Sequence, residues 1–391
     1  MPNVHVKKSS LLDFPYCHND FTFYFSAKSE HDALILTKYK NEEFFLQIIE
    51  KDDKYLLKAD KLTRPTNVKI VQDALKVFLE ANSLKAIMSN IDSKKNRLKK
   101  RSKYLKKIEE FINYSLQGSV EIEIGFGSGR HLLHIAKQNP QKSFIGIEIH
   151  KPSIEQLLKQ CEIQNIQNIS VLEYDARIFL EILESNSIDK IYIHFPVPWD
   201  KKPHRRVISK DFLEESLRVL KKGGKLELRT DSEKYFKYSY ELFLSLSKCE
   251  FAVKKNIDLE ISSKYEDRWK RMKKNIYDLH LINQEISEAK KKQYVENFEE
   301  NIEFKKIYDN FVNKTIKKDG YFVHFENIYK IDKNSGIIKL SFGAYDKPEH
   351  KYLLIKDSTF SYLPNDLLPI WQNIESDKVI KEYLKRRLLD E

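Results

Sequence analysis

The central part of the chain alternates short apolar runs with longer segments of helical periodicity. Between residues 120 and 283, six runs have the length and the β-branched content of strands, and helix-like segments separate them. Such alternation is typical of βαβ units, in which helices cover both faces of a mainly parallel sheet. The pattern therefore predicts a doubly wound, Rossmann-like α/β domain. Its six predicted strands are "VEIEIG", "SFIGIEI", "ISVLEYD", "KIYIHF", "KLELRT" and "YDLHLI".

Both ends of the chain show a different pattern. Residues 21–58 contain short aromatic and β-branched runs separated by polar turns, which is typical of a small antiparallel sheet. Apolar residues at helical spacing follow at residues 68–78. After Glu285 a Lys- and Glu-rich stretch predicts a helix, and three more apolar runs joined by turns predict hairpins. We therefore expect a small β-rich module at each end.

These patterns divide the chain into four segments. We predict a β-rich N-terminal module at residues 1–90, a basic helical linker at 91–112, the α/β domain at 113–284, and a helical lead-in with a second β-rich module at 285–391. The linker contains "KKNRLKKRSKYLKK", in which nine of fourteen residues are Lys or Arg. Such a run is either a solvated surface or a phosphate-binding stripe, and the sequence leaves both interpretations open.

Composition narrows the class of protein. The hydrophobic fraction of 41% and the aromatic fraction of 12% indicate folded domains. The chain has 69 Lys and Arg residues and 58 Asp and Glu residues, which gives a net charge of +11. This charge indicates either a polyanionic binding partner or a proteome that is rich in lysine. Three widely separated cysteines predict neither disulfides nor a zinc site. The chain lacks the apolar core of a signal peptide and any run of about 18 apolar residues, so we expect a cytoplasmic protein that does not bind the membrane. Separately, we favour a monomer.

A glycine-rich segment joins the first predicted strand to the first helix. In "EIEIGFGSGRH", the glycines fall at Gly125, Gly127 and Gly129. Glycines at this junction let the backbone turn tightly and approach a ligand that a Cβ would exclude. The spacing differs from the G-x-G-x-x-G of dinucleotide-binding proteins, which weakens an NAD interpretation.

Three carboxylates lie near the ends of neighbouring predicted strands. Glu148 closes the second strand, where it could accept both ribose hydroxyls, and Asp175 closes the third, where it could reach an adenine amine. Glu123 lies within the first strand, directly before the glycines. Each acid alone could be a helix cap or a surface carboxylate. Together they fit a positively charged nucleoside, and the arrangement resembles a class I methyltransferase that binds S-adenosylmethionine.

A stiff, aromatic and basic segment follows the fourth predicted strand. It reads "FPVPW" at residues 195–199 and continues as "DKKPHRR". The prolines fix the backbone, and Trp199 offers a flat surface for a base or ribose. The Lys, Arg and His side chains behind it are suited to phosphate contacts. The segment therefore favours a nucleotide in RNA or DNA as the methyl acceptor.

Five separated motifs make the resemblance more specific. "FPVPW" with its basic tail, "GFGSG", "RTDSEKY", "SKYEDRW" and "IYDLHL" are similar to the motifs of the bacterial tRNA (guanine-N7)-methyltransferase family. The resemblance covers residues 120–283 and assigns nothing to the two ends. It implies methyl transfer from S-adenosylmethionine to N7 of guanine 46 in the variable loop of tRNA, without a metal.

The resemblance also implies site residues. The implied donor-binding residues are Glu123, Gly125, Gly127, Glu148 and Asp175. The implied substrate-binding residues are Lys201, Asp231, Ser263 and Glu266, with Ser263 in place of a family threonine. Our hypothesis is that Asp231 or Glu266 accepts hydrogen bonds from the N1 and N2 edge of guanine, while Lys201 holds a phosphate. For Asp231, a helix cap is the alternative.

One position departs from the family. Val197 stands where the family has an aspartate to which a catalytic role is often assigned, so no residue here is certain to be catalytic. Guanine N7 carries a lone pair and no proton, and its methylation therefore needs no general base. The main requirement is in-line placement of N7 against the methyl group. Asp200, Asp231 or Glu266 could orient the base instead.

Two other functions remain open on the sequence alone. A related methyltransferase could act on another RNA or on a protein, although an amine-directed enzyme would be expected to carry an N/D-P-P-Y/F segment after the fourth strand. A non-catalytic RNA-binding relative is the second alternative. The three retained acids speak against it, because a disused pocket has no need for buried carboxylates.

Overall fold

The computed structural model describes residues 2–91, 102–112, 114–248, 250–261, 264–291, 293–296, 298 and 301–388. The chain divides into two compact units. One unit combines residues 1–100 with residues 293–391, and the other comprises residues 101–292. No helix among the described residues has both the length and the apolar character needed to cross a membrane.

The N-terminal part is a meander of antiparallel strands with one helix. The four predicted strands of residues 21–58 are confirmed as β3 to β6, and the helix predicted at residues 68–78 is confirmed as α1. Asn67 caps α1 by accepting from the Lys69 N–H at 3.0 Å. The elements are β1 (Asn3–Lys7), β2 (Tyr16–His18), β3 (Phe21–Lys28), β4 (Asp32–Tyr39), β5 (Glu42–Lys51), β6 (Lys54–Ala59), α1 (Val68–Ala81) and β7 (Ala86–Ser89).

The central unit is an alternating α/β fold, as the sequence predicts. All six predicted strands are present, as β9, β10, β11, β12, β13 and β15. The elements are β8 (Leu105–Lys106), β9 (Val120–Ile124), α2 (Arg130–Gln138), β10 (Ser143–Ile147), α3 (Lys151–Ile163), β11 (Ile169–Leu172), α4 (Ala176–Ile182), β12 (Ile188–His194), α5 (Lys210–Val219), β13 (Leu220–Thr230), α6 (Glu233–Leu244), β14 (Glu250–Lys255), α7 (Lys264–Arg271) and β15 (Tyr277–Ile282).

The eight strands of this sheet lie in the order β14-β15-β13-β12-β9-β10-β11-β8. Strands β8 to β13 run parallel, whereas β15 is antiparallel to both β13 and β14. The chain leaves β9 toward β10 on one side and returns to β12 on the other side. The carboxyl ends of β9, β10 and β12 therefore meet at a point where the strand order reverses, which is where such sheets bind ligands.

The C-terminal part consists of hairpins closed by a long helix. The predicted hairpins are confirmed as β17, β18 and β19, whereas helix α9 was not predicted from the sequence. Tyr383 of α9 stacks against Phe325 of β17 with ring centroids 3.7 Å apart. The elements are α8 (Phe304–Asp309), β16 (Lys314–Lys317), β17 (Phe322–Lys330), β18 (Gly336–Gly343), β19 (Glu349–Lys356), β20 (Thr359–Leu363) and α9 (Trp371–Leu388).

The two ends of the chain share one sheet, which differs from the two separate modules expected from the sequence. The strand order β20-β19-β18-β17-β3-β4-β5-β6-β1-β7 joins them where β17 meets β3. Tyr352 of β19 donates to Asp60 at 3.0 Å and packs edge-on against Phe45 of β5. Because these side chains are buried together, the two ends have a common core.

Two predicted helical segments also differ from the structure. In the lead-in, the carbonyl groups of Ser287 and Glu288 accept hydrogen bonds from the side chains of Asn186 and Ser185, at 2.7 Å each. These bonds hold the chain in an irregular path, and α8 is the short helix that follows. Residues 92–101 of the basic linker lie outside the described residues. Residues 102–112 contain β8 and a short 3-10 helix rather than an α-helix.

Candidate active site

The glycine-rich turn follows β9 at the carboxyl edge of the sheet. Gly125, Gly127 and Gly129 have φ angles of 69°, 53° and 71°, a left-handed conformation that favours glycine. A Cβ on Gly129 would lie 2.6 Å from Cδ1 of Leu157, whereas a Cβ on Gly125 would meet no protein atom within 4 Å. The turn therefore packs closely on the α3 side and presents bare backbone to open space at Gly125.

Glu148 follows β10 and faces this turn. Its Oε2 accepts from the Gly127 N–H at 3.1 Å, and its Oε1 accepts from the N–H groups of Ile149 and His150 at 2.8 and 3.0 Å. These backbone donors fix the carboxylate beside the glycines. Glu148 and Gly127, which were selected separately from the sequence, thus form one local structure.

Asp175 follows β11 and caps α4. Its carboxylate accepts from the Arg177 N–H at 2.9 Å and forms an ion pair with the Arg177 guanidinium at 2.6 Å. The helix-cap alternative considered from the sequence is therefore what this residue does in the structure. About a third of its side chain is exposed, and Arg177 contacts both carboxylate oxygens.

Glu123 is buried within β9 and pairs with a histidine that was not predicted from the sequence. Its Oε2 lies 3.0 Å from Nδ1 of His131, in the first turn of α2. Burial by itself would lower the pKa of His131, but the Glu123 carboxylate outweighs burial and raises that pKa above its ordinary value. The contact between Glu123 and His131 therefore joins the two ends of the segment 124–130, which contains the glycine turn.

A second histidine–carboxylate pair lies beside the first. His194, the last residue of β12, has its Nε2 3.0 Å from Glu227 of β13, and Lys190 contacts the same carboxylate at 2.7 Å. Burial alone would raise the pKa of the Glu227 carboxyl, yet the hydrogen bonds and charges of His194 and Lys190 hold it well below its ordinary range. Polar and apolar residues alternate in "KIYIH" and "KLELR", whereas strands buried on both faces are usually apolar throughout. This alternation could have identified His194, Lys190 and Glu227 from the sequence.

The "FPVPW" corner is held from its flanks. The Phe195 N–H donates to the carbonyl of Arg229 at 2.7 Å, and Nε of Arg206 donates to the carbonyl of Pro198 at 2.8 Å. Arg206 is buried, and its guanidinium lies over the Tyr238 ring at 4.6 Å. Its side chain therefore stabilises the corner and is not placed to make the phosphate contact that was expected from the sequence. Val197 is 60% exposed.

The basic residues next to the corner point outward. The side chains of Lys201, Lys202 and His204 are exposed, and Arg205 is exposed with its guanidinium over the Trp199 ring at 5.2 Å. An exposed cationic group beside an aromatic ring can bind a phosphate next to a stacked base. This placement suits the substrate role that the resemblance implies for Lys201.

Asp231 lies at the rim of the site, just after β13. Its Oδ2 is 2.9 Å from Nζ of Lys274. The cap of α6 is the neighbouring Ser232, whose hydroxyl accepts from the Tyr235 N–H at 3.2 Å. The helix-cap alternative for Asp231 is therefore not what the structure shows, and its carboxylate is held by a single half-exposed lysine.

Glu266 is much more deeply buried than its implied substrate role suggests. Its carboxylate contacts Arg229 at 2.8 Å and Lys270 at 2.9 Å, and only 1% of its side chain is exposed. Arg229 also binds Asp278 of β15 at 2.6 Å. Glu266 thus anchors α7 to the sheet, which leaves Asp231 as the more accessible carboxylate. Ser263 lies outside the described residues.

This strand order, with a glycine turn after β9 and a carboxylate after β10, defines a Rossmann-like class I methyltransferase. A family model described as a putative methyltransferase matches residues 117–279.

Similar proteins extend the likeness over the whole chain. A protein from Campylobacter jejuni subsp. jejuni serotype O:23/36 (strain 81-176), named tRNA (guanine-N(7)-)-methyltransferase, is 44% identical over 98% of this chain and 99% of its own length. Proteins of the same name from Wolinella succinogenes and Helicobacter pylori (strain J99) are 40% and 38% identical, over 98% and 100% of this chain and 100% and 98% of their own lengths. The chain belongs to the tRNA (guanine-N7)-methyltransferase family.

Proposed function

We propose that this protein transfers the methyl group of S-adenosylmethionine to N7 of guanine 46 in the variable loop of tRNA, in the cytoplasm. The observation that carries the proposal is the meeting of the glycine turn, Glu148, the "FPVPW" corner and Asp231 at one sheet edge, in a chain whose full-length relatives bear that name. The site lies within the segment 113–284 assigned from the sequence. One chain supplies every assigned residue, so the proposal needs no second copy.

The residues at the glycine turn fit a nucleoside donor. The open space at Gly125 admits a ligand to the backbone, and the Glu148 carboxylate beside it is placed to accept ribose hydroxyls. Glu123 would hold the donor's ammonium group, and the partly exposed Asp175 would meet the adenine amine. The donor supplies an electrophilic methyl group on a sulfonium. The protein's own contribution is to orient this group and to exclude water from it.

On the acceptor side, the protein's task is orientation. Guanine N7 presents a lone pair without a proton, so a valine at position 197 removes no necessary base. The stiff corner and Trp199 would set the plane of the guanine, and Lys201 would bind its phosphate. Asp231, whose carboxylate is held by Lys274, would accept hydrogen bonds from the N1 and N2 edge of the base.

The test is methylation of a defined tRNA. Purified protein is incubated with an unmodified tRNA transcript and methyl-labelled donor, and the labelled nucleotide is then mapped. We expect N7-methylguanosine at position 46 and no label in a transcript that carries adenine there. Label on another nucleotide or on protein would overturn the assignment.

A second experiment tests the role of Asp231. We expect Asp231→Asn to lower kcat/KM for tRNA by about 10–100-fold, because a charged hydrogen bond to the base is worth about 1.5–3 kcal/mol. Asp211→Asn, at an exposed position on α5, is the matched control and is expected to leave kcat/KM unchanged. Equal activity of the two variants would remove Asp231 from the site.

A further inference from the structure

Asp231 has cationic side chains on both sides along the edge of the sheet. Strand β13, which ends just before Asp231, lies between β12 and β15. Because β15 is antiparallel to both β13 and β14, its amino end meets the carboxyl ends of those two strands. The residues that enter β15 therefore lie on the other side of Asp231 from the "FPVPW" corner and Lys201, which follow β12.

Four exposed cations on this second side form a surface that we call the β15 cationic cluster. Arg271, Lys273 and Lys274 lie at the end of α7 and in the turn to β15, and Lys255 is the last residue of β14. All four side chains are exposed. The cluster thus combines cations from two stretches of the chain.

Hydrogen bonds hold the two stretches together. The side-chain amide of Asn256 donates to Asn275 at 2.9 Å, and its side-chain oxygen accepts from the Ile276 N–H at 2.8 Å. At the end of α7, Nε of Arg271 donates to the carbonyl of Asp267 at 3.3 Å. The cations are therefore presented from a backbone of fixed shape.

Carboxylates do not neutralise this cluster. Lys274 pairs with Asp231 at 2.9 Å and is the one member that forms an ion pair with a carboxylate of the described residues. Other nearby carboxylates have cations outside the cluster: Asp267 binds Arg130, Asp258 binds Lys270 and Glu233 binds Lys237, at 2.7–2.8 Å. A surface with this excess of positive charge attracts a polyanion.

Lys274 connects the cluster to the acceptor carboxylate. Its Nζ lies 3.8 Å from the centre of the Trp269 ring and 2.9 Å from Oδ2 of Asp231. These two contacts hold the ammonium group at the rim of the site. The cluster therefore begins at the carboxylate to which the proposed function assigns the guanine edge, and it extends away from the "FPVPW" corner.

We propose that the β15 cationic cluster binds the phosphate backbone of tRNA on one side of guanine 46, while Lys201 binds it on the other side. This inference rests on the proposed function. Lys and Arg side chains bind phosphates without reading sequence, and such contacts fix the register of a nucleic acid on a protein. The Asp231 carboxylate repels phosphates, so the backbone would pass beside it and the base would face it. The family resemblance gives residues 270–275 no role, because the similar motifs end at Trp269 and resume at Ile276.

The salt dependence of binding tests the cluster without methylation. Full-length protein is mixed with an unmodified tRNA transcript in the absence of donor, and the Kd is measured at several salt concentrations. We expect Arg271→Gln and Lys273→Gln each to weaken binding by about 5–10-fold at about 0.1 M salt. Each should also reduce the slope of log K against log salt by about 0.7–0.9, the value of a single phosphate contact.

Matched variants separate charge from shape. Arg271→Lys keeps the charge and should retain the salt slope of the unaltered protein. Lys137→Gln removes an exposed lysine from the last turn of α2, at the end of that helix away from the glycine turn, and should leave Kd and slope unchanged. Circular dichroism confirms that each variant is folded.

Ethylation interference identifies the phosphates. End-labelled tRNA is sparsely ethylated at its phosphates, and the molecules that still bind the protein are separated from those that do not. We expect interference on both sides of guanine 46. Interference on one side should disappear in Lys273→Gln, and interference on the other side should disappear in Lys201→Gln.

The proposal is overturned if Arg271→Gln and Lys273→Gln both bind tRNA with unchanged Kd and salt slope. It is equally overturned if Lys273→Gln and Lys201→Gln abolish interference at the same phosphates. Should the unaltered protein methylate guanine 46 in either case, the proposed function stands and this surface alone is rejected. Methylation of another nucleotide, with a reduced salt slope in the variants, would reject the proposed function and keep the cluster as an RNA-binding surface.

Discussion

The shape of the "FPVPW" corner does not depend on the side chain of Val197. The "FPVPW" corner is fixed by a backbone hydrogen bond from Phe195 and by the buried guanidinium of Arg206, and neither contact involves the side chain at position 197. If the resemblance is right that an aspartate is replaced at this position, the proposed methylation would still be possible, because N7 of guanine has no proton to remove.

Replacement of Gly129 by alanine is expected to cost more stability than the same replacement of Gly118. Gly129→Ala would place a Cβ 2.6 Å from Cδ1 of Leu157 in addition to its positive φ. Gly118→Ala, at φ 74° with no atom within 4 Å, imposes only the conformational cost of about 1–2 kcal/mol. Urea unfolding should therefore show a further loss of about 1–3 kcal/mol for Gly129→Ala. Equal losses would mean that Leu157 moves freely aside.

Glu326 on β17 provides a pH-dependent prediction. Its hydrogen bond with His350, helped by Lys339 and Ser341, outweighs burial and holds the pKa of the Glu326 carboxyl well below its ordinary value. A lowered folded-state pKa adds stability above the unfolded pKa of about 4.3, and this stability is lost as the pH falls. We therefore expect Glu326→Gln to cost about 1–3 kcal/mol at pH 7.

The difference in stability between Glu326→Gln and the unaltered protein should be smaller at pH 3.5 than at pH 7. Amide exchange in β17 and β18 measures this difference. Glu382→Gln, which breaks an exposed ion pair on α9, serves as the control with little effect at either pH. A gap that stays constant between pH 7 and pH 3.5 would show that Glu326 acts by packing and not by charge.

At the scale of elements, α7 depends on one buried arginine. Arg229 of β13 binds Glu266 of α7 and Asp278 of β15, and all three side chains are almost completely buried. Arg229→Met would remove the buried cation shared by Glu266 and Asp278 and leave Lys270 as the remaining cation on Glu266. Removal of one partner from a buried ion pair typically costs about 3–5 kcal/mol. We expect exchange protection to fall in α7 and β15 first. Adding Glu266→Gln and Asp278→Asn should recover part of the loss, and no recovery would contradict the charge explanation.

Periodicity and strand-end chemistry predicted much of this architecture. The six central strands, the hairpins at both ends and the meeting of Gly127 with Glu148 follow from local patterns and the rule that parallel strands share one carboxyl edge. The partners of the acids did not follow. His131 and Arg229 meet Glu123 and Glu266 only through strand register and helix docking, which a single sequence does not encode locally.

At the scale of the whole molecule, the chain leaves one unit, forms the methyltransferase unit and returns to complete the first. This return could not be predicted from the sequence, because each end alone has the pattern of a short antiparallel sheet. Strand β17 pairs with β3 at Lys330 and Lys28, and the two ends also share a cluster of buried side chains. The two ends, nearly 200 residues apart, should therefore gain and lose their structure together.

Tyr352→Ala tests this shared stability. Tyr352 is buried, donates to Asp60 and packs on Phe45, so its truncation should cost about 3–5 kcal/mol. We expect amide exchange to quicken in β4 and β5 as much as in β18 and β19, with β9 to β12 unchanged. Phe179→Ala, which removes a buried ring packed edge-on against Phe111, should give the reverse pattern. If β4 and β5 kept their protection in Tyr352→Ala, the two ends would be separately stable modules after all.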